Sequence, residues 1–97
     1  MTMKPPHPGE TLKEEYLVPL GMSVNALAKE LGIGAARLNE IVLGRRGVSA
    51  DTALRLARYF GTTPELWLNL QAFHDLRMAQ QKAGRAIERT VKPRHAA

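Results

Sequence analysis

At 97 residues the chain has room for one hydrophobic core. Its 44% apolar content can build that core, while the absence of cysteine excludes disulfides and thiolate metal sites. The formal net charge of +5 lies after residue 75: residues 1–75 carry eight basic and eight acidic side chains, and residues 76–97 carry six basic groups against Glu88.

No segment alternates with period two and β-branched residues are sparse, so an all-α chain of five helices is expected. The first helix is expected over residues 9–18, entered through His7-Pro8 and stopped by Pro19, with Leu12 and Tyr16 on one face. Ser23 then caps a second helix in which Val24, Leu27, Ala28 and Leu31 form an i, i+3, i+4, i+7 stripe. The turn Gly32-Ile33-Gly34 breaks it, both glycines being suited to positive φ. A third helix follows over 35–43, with Leu38, Ile41 and Val42 inward and Gly44 at its end. Ser49 caps a fourth, over 50–60, whose buried stripe is Ala53, Leu56, Ala57 and Phe60 before Gly61 closes it. Thr63, Pro64 and Glu65 open a fifth that reaches about residue 88, its end weakened by Gly84.

The second and third helices, with their short turn, occupy SVNALAKELGIGAARLNEIVLGRRG from Ser23 to Gly47. Two short amphipathic helices so joined read as a helix-turn-helix, whose second helix enters the DNA major groove. With Leu38, Ile41 and Val42 inward, the outward set is Ala35, Ala36, Arg37, Asn39 and Glu40. Arg37 has the donors to pair with guanine O6/N7 or to hold a phosphate, and Asn39 has the donor and the acceptor to pair with adenine N7 and N6. Ser23 and Asn25 open the preceding helix, whose N-terminal N–H groups suit a phosphate. Arg45 and Arg46 follow the recognition helix and are expected to straddle the backbone. Glu40 must point at a base or a neighbouring cation. Asp51 and Glu65 read as first-turn acids with no further role.

From Leu66 to Phe73 the fifth helix is apolar nearly all round, and one narrower stripe continues through Leu68, Ala72, Leu76, Ala79, Ala83 and Ile87. Two apolar faces on a terminal helix imply packing on its own domain and on a second copy, with Leu68, Ala72, Leu76, Ala79 and Ala83 as the dimer interface. The basic groups beyond (Arg77, Lys82, Arg85, Arg89, Lys92, Arg94) suit phosphates, a membrane surface or an acidic partner, or form a solvated terminus. The expected organisation is an N-terminal arm over 1–8, a helix-turn-helix domain over 9–78, and a basic helix extension and tail over 79–97. The prolines of MTMKPPHP suggest a loosely docked arm.

Catalysis is the weakest reading. His7, His74 and His95 are far apart in sequence and share no ligand spacing with carboxylates, so no metal, cofactor or catalytic residue is expected. No run of about 18 apolar residues spans a membrane, and the N-terminus lacks the apolar stretch of a signal peptide. With no cysteine present, a cytoplasmic location fits.

The run GMSVNALAKELGIGAARLNEIVLGRRGVSADTALRLARYFGTTPELWLNLQ, preceded by HPGETLKEEYL, closely resembles HigA-type antitoxins, a branch of the Xre-like helix-turn-helix proteins, over about residues 7–78. The resemblance implies a five-helix lambda-repressor-like domain with a long C-terminal helix. It further implies a homodimer that represses its own operon through a palindromic operator in double-stranded DNA and neutralises a cognate HigB-type ribonuclease toxin. By position, Arg37, Asn39, Arg45 and Arg46 fall on the family's DNA-facing stretch, and Trp67, Leu68, Leu70 and Gln71 on its structural WLNLQ motif. The chain departs from the pattern at Gly34, where a capping Ser or Thr is common, and at His74, where a Tyr is usual. A stand-alone repressor, and a toxin-neutralising module with little DNA binding, are the alternative functions.

Overall fold

The computed structural model describes residues 6–94, among which there are five helices and no strand. We label them α1 (residues 8–20), α2 (Val24–Leu31), α3 (Ala35–Val42), α4 (Ala50–Phe60) and α5 (Pro64–Thr90). Side-chain caps open four of them. His7 Nδ1 accepts from Gly9 N–H, Ser23 Oγ from Ala26 N–H, Ser49 Oγ from Thr52 N–H and Thr63 Oγ1 from Leu66 N–H.

Helix α1 does not stop at Pro19. It widens into a π turn over Lys13–Leu17, in which Val18 N–H reaches back to Lys13 C=O, and runs through Pro19 to Leu20. A proline ring clashes with the carbonyl four residues back in a regular α-helix, and the wider turn ahead of Pro19 relieves that clash. Gly21, at φ 61°, then ends the helix. In the turn between α2 and α3 only Gly32 is left-handed, at φ 70°; Gly34 is extended, at φ −67°, as the N-cap of α3.

The core is built from the expected stripes: Leu12 of α1, Leu27 and Leu31 of α2, Leu38 and Ile41 of α3, Ala53 and Leu56 of α4, and Trp67 of α5 are all buried. Trp67 is fully enclosed. Its Nε1–H donates to Thr62 Oγ1 at 2.9 Å, and its ring stands 5.4 Å from Tyr16, which in turn lies 4.7 Å from Phe60. Helix α1 crosses α3 at Gly9, where an added Cβ would fall 1.8 Å from the Ile41 carbonyl oxygen. That position admits no side chain.

Helix α5 is 27 residues long, or about 40 Å at 1.5 Å per residue, in a molecule 55 Å in its longest dimension. Its first turns cover the domain, and beyond Asp75 none of its residues is buried. It passes Gly84 without a break.

Candidate nucleic-acid interface

The N-termini of α2, α3 and α4 all open at exposed residues: Ser23, Gly34 and Ser49. Helix N-termini carry unpaired N–H groups and a partial positive charge, which attract anions. At α3 no side chain caps these groups, because Gly34 has none to offer.

Arg37 leaves the first turn of α3 toward α4, where it donates to Ser49 Oγ at 3.4 Å. That bond is long and exposed, so the guanidinium can exchange it for an anionic or base partner. Asn39 is exposed on the opposite flank and lines a groove with Lys13, Met22 and Ser23, which brings the α3 face to the α2 N-terminus. Ala36, Asn25, Arg45 and Arg46 are exposed as expected. Ala35 is not outward. It is half-buried against the core, since the tight turn sets the first residue of α3 above Leu38, and Ala36 is the alanine on the outer face. Glu40 is half-buried, and its carbonyl accepts from Arg45 N–H at 2.8 Å and Arg46 N–H at 3.3 Å, turning the chain as both arginines leave α3.

Three contacts absent from the sequence reading fix this surface. Gln71 of α5 accepts the Val48 N–H at 2.8 Å through Oε1 and donates to Asp75 at 3.0 Å through Nε2, clamping the loop that carries Arg45 and Arg46. Arg55 of α4 donates to the Leu31 carbonyl at 2.9 Å, tying down the end of α2. Asp51 does have a role: its carboxylate holds Arg55 Nε at 2.8 Å and so aims the guanidinium at that carbonyl. A further contact brings together two histidines that are far apart in sequence. His7 is buried, and its ring meets that of His74 edge-on at 4.9 Å. Burial pushes the His7 pKa below its ordinary value and His74 adds to the push, while Asp75 and Glu10 pull the other way. His95 lies outside the described residues.

A family model for the helix-turn-helix matches residues 12–67, more than half of the chain. The same fold recurs in an addiction module antidote protein of the HigA family from Coxiella burnetii, at 53% identity and a TM-score of 0.90, covering 95% of this chain and 100% of that one. This chain belongs to the helix-turn-helix family, in its HigA-type antitoxin branch. It is also similar to the antitoxin GraA in complex with its operator, with 48% identity, a TM-score of 0.91, and coverage of 99% of this chain and 97% of that chain. Virulence-associated protein I of Dichelobacter nodosus is 59% identical over 75 residues, 77% of this chain and 69% of that protein.

On this HigA-type chain the expected dimer stripe divides. Leu68 is half-buried against the protein's own core, because α5 sits over α4 at that turn, so it belongs to the fold. Ala72, Leu76 and Ala79 are exposed and Ala83 is half-buried among its own helix neighbours. Phe73, Leu76 and Ile87 extend the apolar exposure along α5, at 47%, 55% and 51%. Among the described residues no group of three metal-ligating side chains converges, and no helix is long and apolar enough to cross a membrane.

Proposed function

We propose that this chain is an antitoxin and autorepressor: a cytoplasmic homodimer that binds a palindromic operator, represses its own operon and neutralises a HigB-type ribonuclease toxin, with no catalytic activity of its own. One observation carries the reading. A relative 48% identical over 99% of this chain has been solved on its operator, and the face that reads DNA in such folds here offers three helix N-termini, Arg37 and Asn39.

In this reading α3 enters the major groove, where Arg37, Asn39, Ala36 and Glu40 meet base edges. Ser23, Asn25, Arg45 and Arg46 hold the flanking phosphates, and Ala35 supports the approach from behind. Pairing through Ala72, Leu76, Ala79 and Ala83 sets two recognition helices about 34 Å apart on one face of the duplex. The toxin is the second partner, supported by the antidote and antitoxin names of the relatives.

The formal neutrality of residues 1–75 favours one other reading, an interaction module that holds a toxin and barely binds DNA. Titrating the protein onto the DNA upstream of its own reading frame, at rising salt, separates the two. A sequence-preferring complex that weakens steeply with salt is expected. No such complex even at low salt sinks the repressor. Co-purification with the product of the neighbouring gene tests the antitoxin role, and its failure leaves a stand-alone repressor.

A further inference from the structure

Four of the six basic groups after residue 75, Arg77, Lys82, Arg85 and Arg89, are built into α5, and Lys92 and Arg94 follow its end. The helix continues to Thr90, and at 100° per residue Gln71, Met78, Lys82, Arg85 and Arg89 fall within about 60° of one another on one side. The apolar stripe of Ala72, Leu76, Ala79 and Ala83 lies on a different side. Lys82, Arg85 and Arg89 are therefore a row of cations about 10 Å long, free to act while that stripe is paired.

The row is unbalanced. Like charges three and four residues apart on a helix repel, and the macrodipole rewards cations only in the last turn, which reaches Arg89 alone. Among the described residues none of the three forms an ion pair. Arg77 differs, since its guanidinium stands 4.9 Å over the Phe73 ring and donates to Gln80. Three exposed cations without an ion pair on one helix side offer a site to an anion from outside the chain.

Their direction names which anion. Gln71, on the same side of α5, grips the loop of Arg45 and Arg46 through Val48 N–H. The side of the helix that faces this loop thus continues beyond the domain as Lys82, Arg85 and Arg89, the last about 27 Å from Gln71 along the axis. We propose that Lys82, Arg85 and Arg89 are a second phosphate-binding ridge, gripping operator DNA backbone beyond the phosphates met by Arg45 and Arg46. This rests on the DNA-binding reading above. It also adds to the counterion release that Arg45 and Arg46 provide in a formally neutral domain.

The test is the triple variant K82Q/R85Q/R89Q, since glutamine keeps the length and helix preference of the replaced residues. Binding to a fluorescent duplex from directly upstream of the protein's own reading frame, and to a scrambled duplex, is followed by anisotropy across a salt series. Circular dichroism and sedimentation verify fold and assembly. The variant is expected to bind at least about tenfold more weakly at low salt. Its log–log salt slope should be shallower by about 2–5 for two subunits, with the operator-to-scrambled ratio unchanged. Should the triple change unfold α5, R85Q alone is expected to flatten the slope by about 2, one phosphate per subunit. Wild-type slope and affinity in a folded variant overturn the ridge. So does a variant that keeps its DNA slope but no longer captures the toxin, which would make the row a protein-docking surface. A wild-type protein with no operator complex at low salt fells the DNA reading itself, a result distinct from either.

Discussion

Gln71 and Val48 are 23 residues apart in sequence and joined by one 2.8 Å hydrogen bond, the side-chain oxygen of α5 accepting the backbone N–H of the loop after α3. Gly47 packs against the same amide, where a Cβ would come within 3.2 Å of it. The helix that carries the exposed apolar stripe and the loop that carries Arg45 and Arg46 therefore move together. In Gln71→Leu the Val48 N–H loses its acceptor in a half-buried site, which costs about 1–2 kcal/mol. Urea unfolding should show that loss, and operator binding should weaken further as Arg45 and Arg46 lose their register. The pair Gln71→Glu with Asp75→Asn restores an acceptor for Val48 without setting two carboxylates side by side. It should recover most of the binding; a pair as weak as Gln71→Leu would exclude the clamp.

The cap of α1 makes stability depend on pH. His7 Nδ1 accepts the Gly9 N–H at 2.9 Å, which only an unprotonated nitrogen can do. The folded pKa is lowered, chiefly by burial and then by His74, against the opposing pull of Asp75 and Glu10. The unfolded chain therefore binds the proton more readily, so stability rises with pH through the window below 6.5 and is full above it. Melting temperature should fall as pH drops from about 7.5 through the ordinary histidine range. In His7→Asn, where the cap persists and position 7 itself no longer titrates, that dependence should flatten. An equally steep pH curve in the variant would move the effect to another group.

Local signals made most of the architecture legible. Ser23, Ser49 and Thr63 cap helices because their oxygens meet N–H groups three residues on, and the 3.6-residue stripes of α2 and α4 face the core as read, with Val24 and Phe60 half-buried at their edges. What escaped depends on residues far apart. Pro19 argues for a stop until the π turn ahead of it is seen, and no spacing rule places His7 against His74. Leu68 and Leu76 look alike in sequence, and only the position of α4 decides that the first packs inward and the second remains exposed. The candidate site follows the same division. Its exposed members lie on the expected face of α3, while the Gln71 clamp and the Arg55 brace need the tertiary structure.

Arg37 separates base readout from phosphate contact. Among the described residues its one hydrogen bond, to Ser49 Oγ at 3.4 Å, is weak enough to be given up on DNA. Arg37→Ala should cost about 1–3 kcal/mol of discrimination between the operator and a duplex altered at a guanine, if it pairs with O6/N7. Competition between the two duplexes at one salt concentration reads this directly. Uniform weakening on both would assign Arg37 to a phosphate.

The exposed stripe of α5 predicts how the protein assembles. Leu76 is 55% exposed, beyond the turn at which Leu68 of the same stripe packs on the core, so more than half of its apolar surface contributes to stability only if a second copy covers it. A carboxylate there meets water in the monomer and a low-dielectric interface in the dimer. Leu76→Glu should therefore leave the melting temperature of the isolated fold nearly unchanged and shift sedimentation to the monomer, with Ala79→Glu acting in the same direction. Because two half-sites bound by one dimer share the cost of association, operator binding by these monomers should weaken far more than the loss of any single contact. Dimers that persist in both variants would place the pairing surface elsewhere on the protein.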